Sequence, residues 1–225
     1  MTYLEEAERP KDRSKGIAAL VIATLGTMGI VVFFFRGPRE LRGFDLFLLF
    51  LVLGFAAYGS MRSIIRGLTT ALSIYVATAV AATFYPALRV YCRSLINIAQ
   101  GHLRGRPPIR PVDYSALALA FALIAIPLWA ALEGLFRAAL PDAHLRFLGF
   151  LDRAAGALVH MVIGIFVATL VFNVFGYGFA GRSTHDKATL RPEAGQVMAL
   201  YYQSQSFWFP RRPPAIYTYD LDLGE

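Results

Sequence analysis

From Gly16 to Phe35 the chain carries no charged side chain, and an uncharged apolar run of about 18 residues or more is long enough to cross a bilayer as a helix. Four further apolar runs follow: Leu46 to Met61, Gly67 to Leu88, Tyr114 to Leu132, and the stretch from Asp152-Arg153 to about Phe179. A soluble domain would have to bury all of them. With 56% hydrophobic and 16% charged residues, and a mean hydropathy of +0.51, the chain has too little polar surface for that. The sequence therefore predicts an all-α polytopic membrane protein with five transmembrane helices.

The net charge of +7 would suit a nucleic-acid surface. The bases, however, fall in short clusters between apolar runs, as membrane-protein loops do, and no nucleic-acid motif is present. The expected partners are the lipid bilayer and other membrane proteins or further copies of the chain, with no nucleic acid. The single cysteine, Cys92, rules out an internal disulfide and has no Cys or His at metal-ligand spacing, so neither a metal nor another cofactor is expected. The first apolar run reads as a retained helix rather than a signal peptide. The segment before it mixes Glu5, Glu6, Glu8 and Asp12 with its bases, the run is too long for an h-region, and no Ala-x-Ala site follows.

These signals divide the chain into a polar segment 1–15, an extra transmembrane helix 16–36, a four-helix membrane domain 44–181 and a polar extramembrane tail 182–225. At 1.5 Å per residue the run from Leu46 to Met61 is shorter than a bilayer core of about 30 Å, which predicts that its helix continues past Arg62. The next run follows so closely that the chain must reverse around Arg62 to Leu68, with Gly67 placed to permit the turn. Arg89 to Asp113 reads as loop, with an interfacial helix expected within Val90 to Leu103. Pro127 should kink its helix rather than end it. The tail is expected to be irregular, with the aromatic run Ser206 to Pro210 and Arg211-Arg212 as an interface anchor, or else a partner-binding segment.

Two motifs then stand out. The first is an acidic residue opening a helix with two arginines at its far end: Asp45, then Gly59-Ser60-Met61-Arg62-Ser63-Ile64-Ile65-Arg66-Gly67. The second is Asp152-Arg153-Ala154-Ala155-Gly156, continuing through His160 to Gly164. From about Phe44 to Gly181 this order resembles the CvpA family, the colicin V production proteins of bacterial inner membranes. Asp45, Gly59, Arg62, Arg66, Asp152, Arg153, Gly156 and Gly164 are in register with its pattern. Ser63 and His160 stand where glycine is usual, Gly67 for glutamate and Ile163 for arginine, and the helix at 16–36 is extra. The resemblance implies a four-helix membrane domain, located in the inner membrane and linked to colicin production or export and to envelope integrity, with no established biochemical activity.

If every run spans, Arg62, Arg66, Glu133, Arg137, Asp152 and Arg153 meet on one membrane face. They either bind an anionic headgroup, a small solute or a partner loop, or snorkel and pair structurally, with Glu133 taking Arg66 or Arg62. His160 is a candidate proton relay, or a pigment or haem ligand, set against an ordinary interhelical contact. The glycine pairs Gly156 with Gly164 and Gly54 with Gly59 offer close helix packing. No metalloprotease helix, nucleophile elbow, P-loop or paired membrane-depth aspartate occurs, so no catalytic residue and no enzyme activity are expected. Lys and Arg number nine on the amino-terminal side and eleven opposite, which decides nothing. Related membrane-anchored proteases, whose catalytic domain follows the membrane domain on the outside, imply N-in and C-out. The expected function is a non-enzymatic scaffold or accessory protein; a small-solute transporter or channel, or a pigment- or haem-binding subunit, are the alternatives.

Overall fold

Apolar chain in hydrocarbon has no water to satisfy its N–H and C=O groups, so each run must close its hydrogen bonds internally as a helix. The computed structural model describes residues 13–37, 42–99, 111–140, 149–178, 187–209 and 213–218. Within them run α1 (Arg13–Arg36), α2 (Gly43–Gly59), α3 (Ile64–Ala99), α4 (Pro111–Ala139), α5 (Gly149–Gly178), α6 (Arg191–Gln205), a 3₁₀ turn (Ser206–Trp208) and α7 (Ala215–Thr218). Four helices, α1, α3, α4 and α5, are long and apolar enough to cross a membrane, and α2 is a shorter apolar helix of 17 residues. The chain is an all-α polytopic membrane protein. The polar residues Glu5 to Asp12, the prolines 107 and 108, and Arg211 with Arg212 lie outside the described residues.

The principal contacts pair α3 with α4 and α2 with α5. Both pairs are antiparallel. Thr70 meets Glu133 near one end of the α3–α4 pair, and Tyr85 meets Phe121 edge-on farther along it. In the α2–α5 pair Gly59 lies on Gly156 while Phe44 stacks on Phe172. Small residues make such approaches possible where lipid competes equally for apolar side chains. Ala81 and Ala82 of α3 are buried in one core with Ala116, Ala120 and Ala125 of α4. The outermost helix, α1, packs on α2 and otherwise exposes its apolar side chains, as a lipid-facing span does.

Four boundaries differ from expectation. The helix of α2 stops at Gly59 and does not continue past Arg62, because Ser60 to Ser63 form the turn and Ser63 caps α3, its Oγ accepting the Arg66 N–H at 3.4 Å. The reversal is as tight as expected, but Gly67 lies inside α3, against Val159 and the His160 ring of α5. No separate interfacial helix begins at Val90; α3 runs unbroken through Pro86 to Ala99. Pro127 leaves α4 continuous.

The fourth difference is the tail, which is helical where an irregular segment is expected. Its helices α6 and α7 pack on the bundle and bury Met198, Tyr201, Gln205, Ile216 and Tyr217 in its core. A polar network holds them. The Thr78 hydroxyl donates to Ile74 O at 2.8 Å, so it accepts from the Tyr201 hydroxyl and from Gln205 Nε2. Gln205 Nε2 also reaches Tyr75 O, the Tyr217 hydroxyl donates to Thr78 O, and Asn173 Nδ2 donates to Tyr217 O. Phe207 and Trp208 of the expected anchor are exposed, whereas Phe209 packs on Tyr217.

Candidate functional site

The helix ends decide where the polar residues fall. The C-terminal ends of α2 and α4 meet the N-terminal ends of α3 and α5, so Arg62, Arg66, Glu133, Arg137, Asp152 and Arg153 are brought to one end of the bundle, as expected. Asp45 opens α2 at the other end.

Each motif carboxylate caps a helix. Asp45 is fully buried and accepts the Arg42 N–H of its own helix start at 2.9 Å. It also accepts the N–H groups of Thr189 at 3.1 Å and Leu190 at 3.0 Å, which lead into α6. One carboxylate thus serves two helix N-termini, whose dipoles favour a negative charge. Asp152, 5% exposed, accepts the Ile64 N–H at 3.2 Å and so caps α3 from α5. Arg153 follows it on α5, half-buried.

The glycines let these caps reach. A Cβ on Gly59 would stand 2.6 Å from Gly156 O and collide with His160, and one on Gly156 would collide with Arg62 O. One on Gly164 would stand 2.8 Å from Phe55 Cβ. His160 is enclosed at this crossing with no exposed surface, its ring edge-on to Tyr58 at 5.5 Å. Its Nδ1 lies 2.9 Å from Gly156 O; a carbonyl only accepts, so Nδ1 carries the proton and Nε2 presents a lone pair, which has no hydrogen-bond partner among the described residues. His160 leaves no exposed surface through which a haem or pigment could reach that nitrogen. Gly54 is different: a Cβ there would meet nothing within 4 Å.

That open space belongs to a cleft of about 390 Å³ between α2 and α4, floored by Thr70 of α3. One stripe of α2, Phe50, Gly54 and Tyr58 at spacing four, faces a stripe of α4, Trp129, Glu133 and Arg137, at the same spacing. Glu133, 9% exposed, accepts Thr70 Oγ1 at 3.0 Å and Arg137 Nε at 3.3 Å. Arg137 Nη2 donates to the Tyr58 hydroxyl at 3.3 Å and bridges the two stripes. Arg62 stands over the other side of the cleft's rim, its guanidinium carbon 5.2 Å from the Tyr58 ring centroid. Arg66 is buried in the first turn of α3.

Sequence reasoning did not single out Tyr58, Thr70 or Trp129. The recoverable signal was the i, i+4, i+8 stripe through Glu133, which places an indole and a guanidinium on either side of a carboxylate. Nothing in the sequence pairs that stripe with α2.

The comparisons agree with the geometry. Neither the curated proteins nor the solved structures contain a match to this chain. The family model for the colicin V production protein matches residues 44–192, from the residue before Asp45 to the start of α6, so it takes in both motifs and the Thr189–Leu190 backbone that Asp45 holds. A match over well over half the chain, carrying both motifs in one folded bundle, makes this multi-pass membrane protein a member of the colicin V production protein family.

Proposed function

We propose that the protein is a non-enzymatic membrane scaffold or accessory protein, acting in colicin V production or export and in envelope maintenance, and residing in a bacterial inner membrane with its amino terminus inside and its carboxyl terminus outside. The observation that carries this is the use of the motif carboxylates. Asp45 and Asp152 accept backbone N–H groups at helix starts, which joins α2 to α6 and α5 to α3. They act as struts between helices, and a rigid frame that exposes apolar faces such as that of α1 is suited to holding other membrane proteins. Chemical cross-linking in native membranes followed by purification in mild detergent tests the reading. Recovery with a reproducible membrane partner is expected; recovery as a monomer or self-oligomer alone would contradict it.

A second reading, a small-solute transporter or channel, draws on the cleft, where the ionisable Glu133 sits between spanning helices. Solute flux in liposomes holding the pure protein, lowered by Glu133→Ala, would support it; absence of flux leaves the scaffold.

A further inference from the structure

We infer that the α2–α4 cleft is a binding site for one glycerophospholipid with an anionic headgroup, its phosphate at Tyr58 and Arg137 and an acyl chain along Phe50, Leu51 and the Trp129 ring. The argument is an inventory of donors and acceptors. Both Glu133 oxygens accept hydrogen bonds from Thr70 and Arg137, so the cleft's only carboxylate is already engaged. Its donors are in surplus. The Tyr58 oxygen accepts from Arg137, which leaves the hydroxyl proton to be given elsewhere. Arg137 has five N–H groups, of which Nε and one on Nη2 are used. Trp129 Nε1 is buried and has no acceptor among the described residues, so the indole offers the cleft apolar ring surface rather than a donor. The occupant must therefore present acceptors.

Charge and spacing narrow the class. Among the described residues where α2 and α4 end and α3 and α5 begin, Arg62, Arg66, Arg137 and Arg153 outnumber Glu133 and Asp152, which favours an anion. Trp129 lies eight residues before Arg137, about 12 Å deeper along α4. Acceptors are thus called for at the mouth and apolar chain at the depth of the Trp129 ring. A glycerophospholipid carries both, as phosphate above and acyl chain below; a fatty-acid carboxylate offers fewer acceptor oxygens to Tyr58 and Arg137, and free phosphate has no chain. Level with Trp129 the lining turns to Phe50 and Leu51, and the missing side chain at Gly54 leaves the width for hydrocarbon. The volume of about 390 Å³ holds a headgroup region and the upper part of one chain rather than a whole lipid.

The chain has two tryptophans, Trp129 and Trp208, so Trp208→Phe leaves the cleft with the single fluorophore. The full-length protein in mixed micelles is titrated with phosphatidylglycerol or phosphatidylcholine brominated near the top of the acyl chain. Half-maximal quenching by the anionic lipid is expected at a mole fraction about tenfold lower, the effect of one charge-assisted hydrogen bond. Arg137→Gln should abolish the preference, and Tyr58→Phe, which keeps the ring, should weaken it with the melting temperature unchanged. Equal quenching by the two lipids overturns the proposal. So does displacement of the brominated lipid by millimolar inorganic phosphate, which would mark a bare anion site, or equal quenching by a brominated fatty acid, which would show that the phosphate is not what the site recognises.

Discussion

The Asp45 carboxylate accepts the backbone N–H of Thr189 at 3.1 Å across 144 positions of sequence, and so ties the first helix of the family domain to the segment that follows its last. With the bonds from Arg42 and Leu190, both oxygens are occupied by backbone donors. Asp45→Asn turns one oxygen into an amide NH2, a donor set against N–H groups. We expect a loss of about 3 kcal/mol, read as a lower melting temperature in detergent and faster proteolysis at Lys187 and Arg191. An unchanged melting temperature would refute the tie.

The α2–α5 crossing separates glycines that look alike in sequence. Gly156→Ala drives a methyl into a backbone carbonyl, which cannot swing aside as a side chain can, and should cost about 2–3 kcal/mol or prevent folding. Gly134→Ala meets nothing within 4 Å and should be neutral or stabilise by up to about 1 kcal/mol. Thermal melts of the two variants side by side check the contrast, and equal effects would contradict it.

Glu133 allows a test of which pairing holds the bundle. A double-mutant cycle between Glu133→Gln and Thr70→Val should show coupling of about 1 kcal/mol in the folded fraction, since each single change leaves a buried polar partner behind. The same cycle with Arg66→Ala examines the arginine pair expected from the sequence. Strict additivity there would remove Arg66 from Glu133's partners without disturbing the Thr70 bond.

Burial raises the hydroxyl pKa of Tyr201 and Tyr217, and although hydrogen bonding at Thr78 opposes this, burial dominates at both. A raised folded-state value means that the protonated ring favours folding. That stability is fully present below the unfolded phenol value of about 10 and is lost as pH rises above it towards the folded-state value. Phenolate absorbance should therefore show these two rings titrating only as the tail detaches, well above the exposed tyrosines. Titration of all eleven tyrosines near pH 10 with α6 still docked would be incompatible with the network.

Hydropathy made the four long spans and the shorter apolar α2 legible, although α3 and α4 run on to Ala99 and Ala139, past the apolar stretches that announce them. α2 is the instructive exception. Its shortness read as a truncated span, yet the helix ends at Gly59 because Ser63 and Asp152 start the next one. The tail was not legible. α6 is polar overall, with Gln203, Ser204 and Gln205 at its end, and its docking depends on Thr78 and Asn173 far away in the chain, which no local pattern announces. The motif aspartates could be found as residues in the sequence, but their role could not, since a capping acid is recognised by the distant N–H it receives. Gly67 was correctly marked as special for the wrong reason: it gives room to the His160 ring rather than turning the chain.

Hydrogen–deuterium exchange at three amides tests most directly the claim that the motif carboxylates are struts between helix ends. In lipid nanodiscs, Asp45→Asn should speed exchange at Thr189 and Leu190 and leave Ile64 protected, whereas Asp152→Asn should speed exchange at Ile64 and leave Thr189 and Leu190 unchanged. Exchange at all three amides identical to that of the parent chain in both variants would contradict the account.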